Sequence, residues 1–199
     1  MKIHAYVVVH DGGSAPNHEA PATTLAICKP RIRRSANVGD VVIGFSGSRL
    51  GPEPHSVRWA GIVSEKLSFA EYWNDLRFAR KKPGRSATPD NIYKPFGRSV
   101  RLVPNQIHAE GNVATDLAGE FVLVFDEAWR FGAAAPILPE RFELRLVGSR
   151  RGHRVVEVRG DDWRELRRWL DCRQRETSVA RRGCGKDARP SKGRLRPRC

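Results

Sequence analysis

The chain has 199 residues, 40 % of them apolar and 29 % charged, and carries 36 Lys and Arg against 22 Asp and Glu, a formal net charge of +14. This length suits one cored domain, or one domain and a tail, and the charge says nothing of fold but favours polyanionic partners. No stretch approaches the ~20 apolar residues of a membrane span, and the apolar run near Met1 reads as a strand and not a signal peptide. Three of the four cysteines, Cys172, Cys184 and Cys199, lie in or beside a basic C-terminal stretch, so no disulfide framework is expected, and a reduced cytoplasmic protein follows.

In chain order, "IHAYVVV" (3–9) is β-branched and apolar and predicts a buried first strand. "HDGGSAPN" makes a turn-rich loop, and "TTLAICKP" a second extended stretch closed by Pro30. "VGDVVIGFS" predicts a strand entered by a tight turn at Gly39 and Asp40, and "VRWAGIVSEKL" another, the two forming a hairpin with a long connection. "SFAEYWNDLRF" is a short helix: Ser68 and Glu71 form a capping box, with Phe69, Tyr72, Trp73 and Leu76 at helical spacing. After the basic loop "KKPGRSATPDN", "SVRLVP" and "EFVLVFD" predict strands joined by a polar connection over 105–119, and "PERFELRLVG" fits strand or helix. "DDWRELRRWLD" predicts a helix whose Trp163, Leu166, Trp169 and Leu170 face inward. Beyond it, residues 171–199 hold ten Lys and Arg against three Asp and Glu and almost no large apolar side chain, so they read as a disordered basic tail behind a domain at 1–170. Many strands with few helices, and no βαβ alternation, predict an α+β fold built as a small, strongly curved barrel.

Several engines are excluded by pattern. "GFSGSRLG" lacks the lysine and following helix of a phosphate loop, Ser48 replaces the last glycine of a nucleophile elbow, and no zinc-deaminase signature is present. His10, Asp11 and His18 share a loop but offer too few ligands for a closed metal site, so neither metal nor cofactor is expected. What remains is a binding surface. One basic group, Lys29, Arg31, Arg33 and Arg34, would put Arg31 and Arg33 on one face if extended; a second, Arg80, Lys81 and Lys82, follows the short helix with Arg77 and Arg85 beside it. Trp59, Trp73 and Tyr93 fall near these groups, and basic grooves with aromatic platforms suit single strands or displaced bases, though each tryptophan suits the core better than a platform. Gly44, Ser46, Gly47 and Ser48 would leave room for a flat heterocycle, or form a flexible hairpin tip.

The blocks "AYVVVHDGGSAPN", "TLAICKPRIRR", "VGDVVIGFS", "GIVSEKLSFAEYWNDLRFARKKP", "DNIYKP" and "VGSRRGHRV" together resemble the nucleotide modification associated domain 2 family, prokaryotic and phage proteins linked to modified nucleobases. The likeness spans nearly all of residues 1–170. The Gly39-Asp40 turn with its two strands is also similar to the core of PUA-like and EVE-like barrels, which read modified bases beside this turn. By position the family resemblance covers Asn17 in A-P-N, Lys29 and Pro30 with Arg33 and Arg34, Trp73 and Asp75 in Y-W-x-D, and Asp90, Asn91 and Tyr93 in D-N-x-Y. It implies association with base modification without assigning catalysis. The family often has a cysteine where this chain has Thr23.

The reading is therefore a DNA- or RNA-binding domain that recognises or presents a modified base in a pocket beside Gly39 and Asp40. Asn17, Ser46, Trp59, Trp73, Asn91 and Tyr93 would line the pocket, and the two basic groups would hold phosphates. The alternative is an enzyme acting on a nucleobase or nucleotide, with His10, Asp75 or Asp90 as acid or base.

Overall fold

Strand β1 (Lys2–Val8) turns Ile3 and Ala5 to one face of a sheet and Tyr6 and Val8 to the other, so its apolar run is buried on both faces. The computed structural model describes residues 1–50, 55–146 and 152–184, with the backbone alone over 143–145 and 179–184. β3 (Val41–Ser46) runs parallel to β1, and β4 (Val57–Ile62) returns antiparallel to β3, so the expected hairpin is present. β9 (Glu127–Arg130) and β10 (His153–Glu157) complete a five-stranded sheet in the order β10–β1–β3–β4–β9. A second, antiparallel sheet has β8 (Phe121–Phe125) between β2 (Thr23–Leu25) and β5 (Glu65–Ser68), and β6 (Tyr93–Phe96) pairs only with β7 (Ser99–Leu102).

The layers follow from which faces are apolar. Helices α4 (Glu140–Leu146) and α5 (Gly160–Cys184) place Leu146, Leu166 and Leu170 against Ile3, Val41, Ile43 and Phe45 on the outer face of the large sheet. Leu166 and Leu170 are 1 % and 0 % exposed, so each contributes ~1.5–3 kcal/mol to docking α5. Between the sheets, Tyr6, Val42 and Trp59 meet Leu25, Leu123 and Phe125, with Ile32 of α1 (Pro30–Ser35) closing one side. Beyond the small sheet, Val122 and Val124 pack on Tyr72 of α2 (Phe69–Asn74), on Phe78, and on Tyr93 of the β6–β7 hairpin. The Ser68–Glu71 capping box is formed in both directions, at 3.2 and 2.7 Å.

Four expectations are corrected. The class is α+β, but among the described residues no sheet closes into a barrel: β10 and β9 are the ends of the large sheet. The basic run 30–35 is a helix and not extended, because Pro30 sits in its first turn after two left-handed residues, Cys28 and Lys29. The polar connection over 105–119 contains helix α3 (Glu110–Leu117), whose entry is tied by Asn112 Oδ1 accepting from Ala109 N–H at 3.0 Å. Residues 171–184 are not disordered, since α5 runs to Cys184 and docks on β9. There Trp129 Nε1–H donates to Asp171 Oδ1 at 2.8 Å, and Arg130 N–H donates to Gln174 Oε1 at 2.7 Å. Only residues 185–199 of the expected tail lie outside the described residues. No described helix is long and apolar enough to cross a membrane.

Candidate functional site

The expected base pocket is filled by the protein itself. Gly44 does leave a space, and the indole of Trp59 occupies it: a Cβ on Gly44 would meet Trp59 Nε1 and Cδ1. Trp59 is 1 % exposed and donates from Nε1 to Tyr6 Oη at 2.8 Å, so it is core and no platform. Ser46 is buried with its backbone N–H on Ser56 O, and Asp40 accepts from Lys2 N–H and Asn37 N–H, which holds the turn instead of facing a ligand. Asn17 donates to Thr88 O and accepts from Glu19 N–H, pinning its own loop. Asn91 donates to Tyr72 O at 3.0 Å from full burial. Trp73 has a cation over its ring, Lys82 Nζ lying 4.3 Å from the ring centre.

The weak acid–base candidates separate in the same way. His10 is exposed at the first loop. Asp75 caps the 3-10 helix Leu76–Lys81 through Arg77 N–H and pairs with the Arg77 guanidinium, which also holds Glu65. Asp90 is buried, accepts from Thr24 Oγ1 at 2.6 Å and Tyr72 Oη at 2.8 Å, and is pushed up to about 6 by burial. Asp11 pairs with Arg58, and His18 with Thr23 Oγ1, so the loop trio does not assemble around one point.

Of the seven expected phosphate contacts, two are withdrawn into the interior. Arg33 is 0 % exposed and donates to Cys28 O, Phe121 O and Asp116 O. Lys81 is likewise 0 % exposed, donates to Ala22 O, Asn17 O and Thr24 Oγ1, and is pushed down to about 8 by burial. Fully buried and bonded to internal acceptors, neither cation can reach a phosphate. Helical spacing turns Arg31 and Arg34 outward; Lys29 is half-buried with Nζ 4.8 Å above the Tyr6 ring. Lys29, Arg31, Pro30, Ile32, Tyr6, Val9 and His153 border a cavity of about 360 Å³.

Among the described residues a further group of cations without acidic partners lies elsewhere. The β6–β7 hairpin directs Tyr93, Pro95, Val100 and Leu102 inward and Lys94, Phe96, Ser99 and Arg101 outward. Lys94 stands directly opposite Arg101 in the ladder, a like-charge pair that costs stability. Phe96 is 62 % exposed with the Arg101 guanidinium 5.1 Å from its ring. Lys82 is held below the ordinary lysine value by burial and then by Arg85 and Lys94, with no acid acting against them. Lys82, Arg85, Lys94 and Arg101, with Trp73 and Phe96, thus form one cationic and aromatic face.

A second cluster was invisible in the sequence. Cys28 Sγ lies 3.5 Å from His108 Nε2, and His108 Nδ1 lies 2.5 Å from Asp116 Oδ2. Asp116 Oδ1 accepts the Cys28 N–H at 2.7 Å, and Oδ2 also accepts the Tyr93 hydroxyl at 2.8 Å. Tyr93 is therefore buried structure here, not a base platform. Burial alone would raise Asp116, but the donors on it prevail and hold it below the ordinary carboxylate value. In turn Asp116 and the sulfur raise His108 to about 10, so at neutral pH both ring nitrogens donate, one to carboxylate and one to sulfur. Cys28 and Lys29 have φ of 56° and 45°, and non-glycine residues in this region each cost ~1–3 kcal/mol. Among the described residues these three are the one group of possible metal ligands, but both Asp116 oxygens already accept hydrogen bonds and a closed zinc site needs four ligands. The types of residue are those of a nucleophile, a proton carrier and an orienting carboxylate.

No curated protein and no solved structure matches the chain. The sequence over residues 1–184 matches the family described as nucleotide modification associated domain 2, which takes in α5 to its last residue. The chain belongs to the nucleotide modification associated domain 2 family.

Proposed function

We propose that the protein works in nucleotide modification by docking on nucleic acid through the face made by Lys82, Arg85, Lys94 and Arg101 with Trp73 and Phe96. The observation that carries this is the Lys94–Arg101 pair: like charges set opposite one another, beside an exposed Phe96, repel in the free protein and are relieved when a polyanion binds them. Cations over ring faces suit a single strand, whose phosphates meet the charge and whose bases stack on the rings. The basic composition of the whole chain supports the same partner.

Recognition of a modified base belongs in this reading to the cavity of about 360 Å³ between β1 and α1. Its walls, Val7, Val9, Pro30 and Ile32, are apolar, while Lys29 and Arg31 on its border supply charge for the adjoining phosphate. The test is anisotropy of a labelled single-stranded oligonucleotide, plain or carrying a modified base, at two salt concentrations. Lys94→Ala and Arg101→Ala should each lower the slope of log affinity against log salt by ~0.7, and Phe96→Ala should weaken binding by ~1–3 kcal/mol. Val9→Trp, which fills the cavity, should abolish preference for the modified base and leave total affinity intact. Affinity and slope unchanged in the Lys94→Ala/Arg101→Ala double variant would remove the docking face.

A further inference from the structure

The thiol cluster has a use that docking does not explain. One carboxylate, Asp116, fixes both the backbone amide of Cys28 and the ring of His108, so sulfur and imidazole are set from a common anchor. The anchor is itself rigid. Arg33 donates to the Asp116 and Cys28 carbonyls, and Gly119 leaves the room that the Arg33 guanidinium fills. Cys28 sits at a left-handed bend that a cysteine rarely adopts, which lifts it between β2 and α1. Its side chain is half-buried and packs against the core cluster that contains Ala26, Ile27 and Phe69.

We propose that Cys28 is the nucleophile of a thiol acyl-transfer site, with His108 as its proton carrier, Asp116 as a positioning residue, and an activated ester or thioester as substrate. The Cys28 thiolate attacks the carbonyl carbon, so an S–C bond forms as the bond from carbon to the leaving group breaks. The leaving oxygen or sulfur takes the proton from His108 Nε2. The thioester is then attacked by an amine or water, whose proton passes to the now neutral Nε2 as the S–C bond breaks and the thiolate returns. No oxidant, metal or cofactor enters the balance. The proposal is independent of the docking face, and within the family's association it supplies a means of placing an acyl group on an amine of a base.

The full chain provides its own control, because Cys172 is an exposed free thiol on α5. With limiting iodoacetamide at pH 7, peptide mapping should show Cys28 alkylated at least ~10-fold faster than Cys172 despite its lower exposure. With p-nitrophenyl acetate, intact mass and mapping should show one acetyl group on Cys28, absent in Cys28→Ser. His108→Gln should slow acetylation ~100-fold or more with the near-ultraviolet circular dichroism unchanged. Asp116→Asn should move the pH profile of Cys28 alkylation, a readout that loss of a purely structural bond would leave in place. Slower alkylation of Cys28 than of Cys172, with no acetyl adduct in the wild-type chain, would overturn the site. Retention of stoichiometric zinc that depends on Cys28 and His108 and blocks alkylation would also overturn it and make the trio a metal site.

Discussion

The molecule contains two buried carboxylates of similar surroundings and opposite character. Asp90 and Asp116 each accept a tyrosine hydroxyl at 2.8 Å, from Tyr72 and Tyr93, and each has a cation nearby, Lys81 and His108. Asp90 is raised to about 6 by burial, whereas Asp116 is held below its ordinary value by the donors on it. The distinction lies in what the cation touches. Lys81 reaches Asp90 through the Thr24 hydroxyl and is otherwise committed to backbone carbonyls of residues 17 and 22, so that cluster is closed and ties loops together. His108 bonds Asp116 directly and turns its other nitrogen to a half-buried thiol. Burial of charge marks a structural tie in the first and, in our proposal, the anchor of a reactive thiol in the second.

The largest effect should separate the two clusters at once. Lys81→Ala leaves the buried Asp90 without its cation and empties a site facing three acceptors, so stability should fall by ~3–5 kcal/mol, measured as the urea midpoint. His108→Ala leaves Asp116 its Cys28 N–H and Tyr93 hydroxyl donors, so it should cost only ~1–2 kcal/mol while removing the reactivity of Cys28. Equal losses of stability would mean that the Asp116 cluster is also a tie and nothing more.

Acidity should sharpen the same comparison. His18 and His153 are lowered from 6.5 to about 3 and about 4, chiefly by burial, and stay neutral when folded. Below pH ~6.5 the unfolded chain takes up protons that the folded chain refuses, so their contribution is lost as pH falls from there towards 4 and 3. Asp90 acts oppositely: raised from 3.8 to about 6, it holds a proton in the fold and loses stability as pH rises through that window. The histidine displacements are larger, so stability should fall by ~2–4 kcal/mol between pH 6.5 and 4. On the alkaline side His108, raised from 6.5 to about 10, contributes fully below 6.5 and loses that contribution as pH climbs to 10. Urea midpoints across pH 4–10 should show the alkaline decline flattened in His108→Gln and the acid decline unchanged. An identical alkaline decline in the variant would detach His108 from Asp116.

The sequence made legible what local rules control. β1, the β3–β4 hairpin, β8 and α2 with its capping box follow from β-branched apolar runs, turn residues and capping chemistry. The basic run forms a helix from Pro30, and its arginines divide between interior and solvent with helical period, which an extended reading does not show. Arg33 could not be told from Arg34 without knowing that Gly119 makes room for it. Nothing local joins Cys28 to a histidine 80 positions away, and the α3 sequence "EGNVATDL" is too weakly helical to announce that it carries Asp116. Trp59 shows the limit of small-residue reasoning: Gly44 does make space, and only the fold says what fills it.

Gly119→Ala tests the rigidity of the reactive cluster. The new Cβ would meet the Arg33 guanidinium, which cannot retreat because three carbonyls hold it, so ~1–3 kcal/mol of stability should be lost. Crowding of Arg33 should also disturb Asp116 and Cys28, whose carbonyls it binds, and slow Cys28 alkylation relative to Cys172. Stability lost with alkylation unchanged would show that Arg33 braces the fold without setting the thiol.

The smallest change is the most discriminating, because it is the same atom removed at both sites. Tyr72→Phe and Tyr93→Phe each delete one hydroxyl from a buried carboxylate and should each cost ~1–2 kcal/mol. At Asp90 the loss should end there, since Thr24 remains and no reactive group is attached. At Asp116 the freed lone pair strengthens the remaining bond to His108 Nδ1, and the proton is held more tightly on the ring. The alkylation profile of Cys28 should therefore move with pH by a few tenths of a unit in Tyr93→Phe and not at all in Tyr72→Phe. If both variants shift that profile alike, the effect is a general loosening of the core, and Asp116 is a structural tie like Asp90.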